Sequence, residues 1–445
     1  MNKLDWKEYW ACLALRHARS VGTKTSARLL YAYGSALAAV MDVRSWKHRG
    51  LASDAHIQAM LSEAWLDKAR DEWQRVRGLG CGVAVWAGQG YPFLLRRIPD
   101  PPLCLYFHGD RTLLLNPGVA MVGARKCTRY GLNAADRIGR GLSKAGITVV
   151  SGMAYGIDRQ AHLAGLTGPG SSIAVLGTGL DAEYPKGNLD VRQNLEQEGL
   201  VVSEFSPGTE AHPGNFPVRN RIISGLSLGV VVVEAAKTSG ALITARNAME
   251  QGREVFAVPG PGGSPSHDGC HRLINDGAKL VGTAEDVLVE VGPLIEEDHH
   301  LDPEVWGRGG LDQPEVNETS QEEPWRLPLP LGMAWDDVIE DFVCDIPMRI
   351  SEDISFQGSG PRETPPGQAA EIRNEPAEPV ELSGEESEVM STLETSDPMH
   401  IDLLGQNLGW DAGKVSRVLL VLEVRGLVRQ WPGMVYGVNE PGMRA

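Results

Sequence analysis

Short apolar runs at 119–122, 148–150, 173–176, 200–202, 230–233, 254–258 and 279–281 alternate with segments whose apolar residues fall at helical spacing. The helical segments lie at 132–144, 158–166, 192–197, 241–250 and 272–276. An uninterrupted valine run at 230–233, bounded by Gly229 and Glu234, is the pattern of a parallel strand buried on both faces. Strand and helix alternating in this way predict an α/β fold: a Rossmann-like parallel sheet core over 113–290, with helices on both faces. Right-handed crossovers remove most other topologies.

The flanks follow other rules. In 1–76, Trp6, Tyr9, Trp10, Leu13 and His17 repeat at helical spacing, with Gly22 and Gly34 as punctuation. This N-terminal helical domain has a short hairpin with Gly and Lys at its turn, similar to a helix-hairpin-helix or SAM-like module that grips phosphates; a bundle that merely packs fits equally. His17 reads as a helix-face residue. Residues 77–112 form a connector in which Pro99, Pro101 and Pro102 preclude a helix, and 103–107 suit an edge strand. Residues 382–445 carry three helical stripes and a hairpin about Pro432-Gly433, the pattern of a C-terminal winged helix. Its third helix holds Lys414, Arg417 and Arg425, which suits DNA or a protein partner alike.

The residues after each predicted strand share a character. They are Gly123-Ala124-Arg125; Ser151, Gly152 and Gly156; Lys186 and Asn188; Phe216, Arg219, Asn220 and Arg221; and Ser239-Gly240. All fall at the carboxyl edge of the sheet, where glycines admit close approach and helix N-termini offer N–H groups to anions. Four basic groups, Arg125, Lys186, Arg219 and Arg221, point to a phosphate chain rather than one nucleotide. The alternative is that the arginines pair with Glu204, Glu234 and Asp158.

A formal charge of −16 argues against a nucleic-acid partner until it is located. Residues 291–381 hold 22 acidic residues, five arginines, no lysine and 12 of the 28 prolines, a net charge of −17, so the rest of the chain sums to +1. That composition is a linker's, and the folded parts are free to carry basic patches. One stretch of it, at 335–342, places Trp335, Val338, Ile339 and Phe342 on an apolar stripe. Six cysteines without C-x-x-C spacing read as reduced thiols, and the absence of an 18-residue apolar run or an h-region argues for a cytoplasmic protein with no membrane span.

Catalytic equipment is thin. No P-loop, H-E-x-x-H or G-x-S-x-G occurs, and Arg125 occupies the second-glycine position of a dinucleotide fingerprint. The histidines show no metal spacing; His162 reads as structural. No catalytic residue, metal or cofactor is assigned.

Several segments together resemble the DNA-processing protein A family (DprA, also called Smf). They are MVGARKCTRYG at 121–131, SGMAYGIDRQAH at 151–162, AVLGTGLDAEYPKGN at 174–188, SEFSPG at 203–208, FPVRNRIISGLS at 216–227, VVVEAAKTSGALITARNAMEQGREVFAVPG at 231–260 and LINDGAKL at 273–280. The resemblance implies a homodimeric, sequence-independent binder of single-stranded DNA that loads a RecA-type recombinase during natural transformation. It implies that Arg125 belongs to a strand-binding Gly-Ser/Ala-Arg motif, and that Lys186, Phe216, Arg219, Asn220 and Arg221 line a basic groove. Ala124 stands where that motif commonly has Ser, and the acidic linker is long for the family. Two rivals are a nucleotide phosphoribohydrolase-like enzyme, disfavoured because Pro259-Gly260-Pro261-Gly262-Gly263 lacks the following glutamate, and a winged-helix regulator that reads duplex.

The linker is either a spacer for the winged helix or an acidic competitor for the basic rim, with a reach of roughly 50 Å for its 91 residues. Deleting 296–378 separates the two. Competition predicts a gain in oligo-dT affinity at low salt that vanishes as salt rises, and a spacer predicts no change.

Overall fold

A computed structural model describes residues 3–298, 384–394, 399–410 and parts of 414–438. The chain divides into two compact units, residues 1–348 and 349–445.

The first unit begins with five helices: α1 (Lys3–His17), α2 (Thr23–Tyr33), α3 (Ala36–Met41), α4 (Asp54–Leu61) and α5 (Leu66–Leu79). Strand β1 (Gly82–Val85), the short α6 (Phe93–Arg96) and β2 (Cys104–Gly109) lead into the alternating region. There follow β3 (Gly118–Val122), α7 (Arg129–Lys144), β4 (Thr148–Ser151), α8 (Ile157–Gly165), β5 (Ser172–Val175) and α9 (Leu189–Glu198). Next come β6 (Leu200–Ser203), α10 (Asn215–Gly225), β7 (Gly229–Val232), α11 (Ala241–Glu250), β8 (Glu254–Ala257), α12 (Asp268–Asn275), β9 (Lys279–Leu280) and α13 (Ala284–Asp298). Helix α13 thus continues past residue 290, where the sequence pattern placed the end of the domain.

One nine-stranded sheet results, in the order β1-β2-β6-β5-β4-β3-β7-β8-β9. The seven strands from β6 to β9 run parallel, and β2 and β1 add antiparallel at one end. Strands β3 to β7 are buried along their whole length, as the continuous apolar runs require. The chain moves from β3 outward through β4, β5 and β6, then returns to lay β7 on the other side of β3. That reversal makes the carboxyl ends of β3 and β7 the switch point, where such sheets open a crevice.

The expected edge strand at 103–107 is an inner strand: β2 lies between β1 and β6. Its prolines precede the strand and cost no ladder bond. The glycine of β1, Gly82, lies under the Phe107 ring, where a Cβ would approach to 2.2 Å.

The helical layer shares one core with the sheet. Tyr9 and Trp10 of α1 pack with Trp73 of α5, and Tyr9 also meets Tyr106 of β2 edge-on at 6.1 Å. Within this core Glu72 of α5 accepts hydrogen bonds from Arg16 and from the Tyr106 hydroxyl, and His17 Nε2 lies 2.6 Å from its other oxygen. Burial alone would raise the Glu72 carboxyl; Arg16, His17, Ser206 and Tyr106 instead hold it at about 2. A buried carboxylate is tolerated because a guanidinium and two further donors replace its water.

In the second unit α14 (Gly384–Glu394), β10 (Met399–His400) and α15 (Ile401–Leu408) precede the hairpin of β11 (Val428–Trp431) and β12 (Val435–Val438). The strands pair antiparallel in the order β10-β12-β11, and Val415, Val418, Leu419 and Leu422 are buried helical residues against Val389, Leu404 and Val428. This is the winged helix that the pattern predicts. The Lys414 ammonium lies 3.9 Å from the centre of the Trp410 ring. Arg417, Arg425 and the apolar stripe at 335–342 lie outside the described residues.

Replacing Glu72 by Ala leaves the half-buried Arg16 without its counter-charge and should destabilise the first unit by about 2 kcal/mol in urea unfolding near neutral pH. Because the folded carboxyl titrates below its unfolded value of 4.5, that contribution is complete above about pH 4.5 and lost as pH falls through about 2. The deficit of Glu72→Ala should therefore shrink in acid; a pH-independent deficit would mean that lost packing is the cause.

Candidate functional site at the sheet edge

The loop after β3 is fixed before it presents anything. The Ala124 amide donates to the Glu234 carbonyl at 2.7 Å. The buried Glu234 carboxylate accepts from the Thr128 amide (3.0 Å) and hydroxyl (2.8 Å), and Thr128 also caps α7 through Gly131. On the other side Gly156, at φ +76°, presses against the same loop; a Cβ there would lie 2.3 Å from the Ala124 carbonyl. Clamped on both sides, the loop turns Arg125 out to solvent.

The Arg125 guanidinium lies 5.8 Å from the centre of the half-buried Phe216 ring, at the start of α10. Tyr184 tilts against the same ring at 5.5 Å. These three side chains border a cleft of about 410 Å³, whose opposite wall is Ser239, Gly240 and Thr244 at the start of α11. A smaller recess beside it is lined by Gly152, Tyr155, Tyr184, Pro185 and Phe216. The arrangement offers an anion one free guanidinium and offers a planar group an aromatic face.

Two of the four expected rim cations are not free, and this corrects the sequence reading. Residues 215–225 form a helix, so Arg219 and Arg221 face different ways. Arg219 is only 4% exposed; its Nη1 donates to the carbonyls of Gly152 (2.9 Å) and Val175, at the ends of β4 and β5. Burial lowers its pKa to about 10 against the pull of Asp158. Asp158, raised by burial against Arg219, accepts from the Ala154 amide. A Cβ on Gly152 would stand 2.8 Å from the Arg219 guanidinium and 2.9 Å from Asp158, so a larger residue would have to displace this buried pair. Arg219 still lines the cleft floor, but as a clamp beneath Phe216 rather than as mobile charge.

Arg221 points to the other side of α10. Its Nε donates to Asp100 at 3.0 Å and its Nη2 to Glu204 at 2.6 Å, with the side chain 9% exposed. The pairing alternative holds for this residue: its guanidinium is engaged by two carboxylates and lines neither cavity.

The remaining candidates divide in the same way. Gly123, Asn220, Ser239 and Gly240 line the cleft. Ser151 is buried and donates to the Met121 carbonyl at 2.6 Å. Asn188 is buried and donates to the carbonyls of Met153 (2.9 Å) and Ala154 (3.0 Å), holding the loop after β4. Lys186 is exposed on the next loop and lines neither cavity. His162 is structural: Met153 N–H donates to its Nε2, its Nδ1 lies 2.8 Å from Ser172, and burial with Arg219 lowers it to about 3. The sequence reading passed over Tyr155 and Tyr184, 44% and 37% exposed, although both stand inside the clusters it singled out.

Among the described residues no group of His, Cys, Asp or Glu is arranged to hold a metal, no helix is long and apolar enough to cross a membrane, and the five cysteines are free.

A parallel sheet with a cation and aromatic rings at its switch-point cleft, joined in one chain to a winged helix, defines a Rossmann-like protein with an appended winged helix. Comparison narrows the class. The family described as DNA recombination-mediator protein A matches residues 83–292, and the DprA winged helix domain matches 373–434. The chain is 47% identical over 200 residues to the DNA processing protein DprA of Streptococcus pneumoniae, which spans 45% of this chain and 71% of that protein. It is 34% identical over 354 residues to the protein Smf of Synechocystis, covering 78% of this chain and 77% of the other. The X-ray structure of the S. pneumoniae protein superposes with a TM-score of 0.57 at 35% identity, over 63% of this chain and 97% of that one. The chain belongs to the DNA recombination-mediator protein A family, and its curated relatives carry the names DNA processing protein DprA and protein Smf.

The burial of the two arginines and the exposure of Arg125 make opposite predictions for folding. Arg221→Ala leaves Glu204 and Asp100 without their partner and should lower urea stability by about 3 kcal/mol. Arg125→Ala should stay within about 0.5 kcal/mol of the parent. Equal losses in the two variants would contradict the assignment.

Proposed function

We propose that the sheet edge binds single-stranded DNA without reading its sequence. The observation that carries this is Arg125, held outward beside the Phe216 and Tyr184 rings at the mouth of the cleft. A guanidinium takes a phosphate, and an exposed aromatic ring takes the face of any base that is not already stacked in a duplex. Neither contact distinguishes one base from another. The appended winged helix and the family's description as a recombination mediator support DNA as the polymer.

In this reading the protein is a binder and not an enzyme. The acid–base groups nearest the cleft are buried and largely engaged elsewhere: Asp158 with a backbone amide beside Arg219, Glu234 through one carboxylate oxygen with Thr128, and His162 between Ser172 and Met153. None is placed to move a proton at a bound phosphate ester. Cytoplasmic location, action as a homodimer and delivery of the strand to a RecA-type recombinase in transformation and recombination complete the proposal. Their support is kinship with the DNA processing proteins.

Fluorescence anisotropy with labelled oligo-dT, duplex and mononucleotides tests this directly. Oligo-dT should bind much more tightly than duplex of the same length, with log K falling linearly in log salt. Arg125→Ala should make that slope shallower by about 0.7, one phosphate's worth on a single strand. Phe216→Ala should cost about 1–3 kcal/mol if the ring stacks on a base. Preference for duplex, or hydrolysis of nucleoside monophosphates above background, would overturn the reading.

A further inference from the structure

We propose that the strand path continues beyond Arg125 onto a second platform formed by Lys126, Arg129 and Tyr130 at the start of α7, which holds a further stretch of the same single strand. This rests on the single-strand reading above and extends it to the ends of β7 and β8.

Tyr130 is 45% exposed, yet its position is fixed. Its hydroxyl donates to the Pro259 carbonyl, just beyond β8, at 2.8 Å. Its ring lies 5.9 Å from that of His267, which is buried, bonded to Ser266 at 3.0 Å and packed on Gly260. A side chain held at its tip and along one side cannot fold away into the surface. It gives up little rotamer freedom when a base stacks on it.

The two cations beside it are exposed, and among the described residues neither takes part in a salt bridge. Nearby carboxylates do not pair with them: Glu234 is fully buried, with one oxygen bonded to Thr128, and Asp268 meets Lys237 at 3.5 Å. The Glu234–Thr128 clamp lies between Arg125 and Arg129, so the spacing of the two platforms is built into the loop. Four residues of chain separate their backbones by no more than about 14 Å. Basic groups interleaved with a fixed, open aromatic ring form the surface on which single strands lie. The surface is continuous through one loop with the cleft already described.

The test uses the full chain with oligo-dT of about six and about twenty-four nucleotides, one within and one beyond a single platform's reach. Lys126→Ala/Arg129→Ala should bind the long oligonucleotide about tenfold more weakly at low salt, with a slope shallower by about 1.4. Its affinity for the short one should stay within about twofold, since the cleft is intact. Tyr130→Ala should weaken the long oligonucleotide selectively, and Tyr130→Phe, which keeps the ring, should not. Unchanged long-oligonucleotide binding in the double variant, or an equal loss on both lengths, overturns the second platform. If Arg125→Ala also leaves both lengths unaffected, the single-strand reading itself fails. If Arg125→Ala weakens both while the double variant is silent, only the platform is lost.

Discussion

A parallel sheet covered on both faces has no polar surface of its own except at its ends. That constraint organises the first unit. Strands β3 to β7 are buried throughout, so every loop with chemistry to offer lies along the carboxyl edge. The reversal of strand order between β3 and β7, which themselves run parallel, then opens the cleft there, and α11 begins on its rim. What the edge presents depends on which groups remain after the backbone's own needs are met. Asn188, Ser151, Asp158 and Arg219 are consumed in satisfying carbonyls and amides at the strand ends. Arg125 survives as a free cation because Glu234 and Gly156 hold its loop without using its side chain.

Much of this was legible in the sequence. The valine run marked β7, the alternation marked the parallel sheet, and the helix at 241–250 is observed with the same limits. The edge as a whole was legible too, because residues following a buried parallel strand have nowhere else to go. The fate of each arginine was not. Arg221 finds Asp100 from 121 positions away, and Arg219 finds carbonyls of β4 and β5. Neither meeting leaves a local trace in FPVRNR. Helix α10 is missing from the predicted helical segments; Pro217 falls in its first turn, where a proline is tolerated.

The N-terminal helices show a different limit. Helical spacing announced a bundle, but spacing alone does not tell whether a bundle closes on itself. Here it does not: Tyr9, Trp10 and Trp73 share a core with β2 and β6, and Glu72 bonds Tyr106 of the sheet. Helices and sheet therefore form one folding unit. The loop after β6 is tied to the same layer, since Arg75 of α5 donates to the Pro207 carbonyl. In this way a helix-rich layer at one end of the sheet helps set the segment that leads into Phe216.

The central claim is that a single strand lies along the carboxyl edge of the parallel sheet. Amide hydrogen exchange of the full chain, with and without saturating oligo-dT, tests it most directly. Slowed exchange is expected in 123–130, 152–156, 184–188 and 214–220, the segments that carry Arg125, Tyr155, Tyr184 and Phe216. Unchanged exchange in those segments, with slowing confined to 384–438, would contradict the account and assign binding to the winged helix.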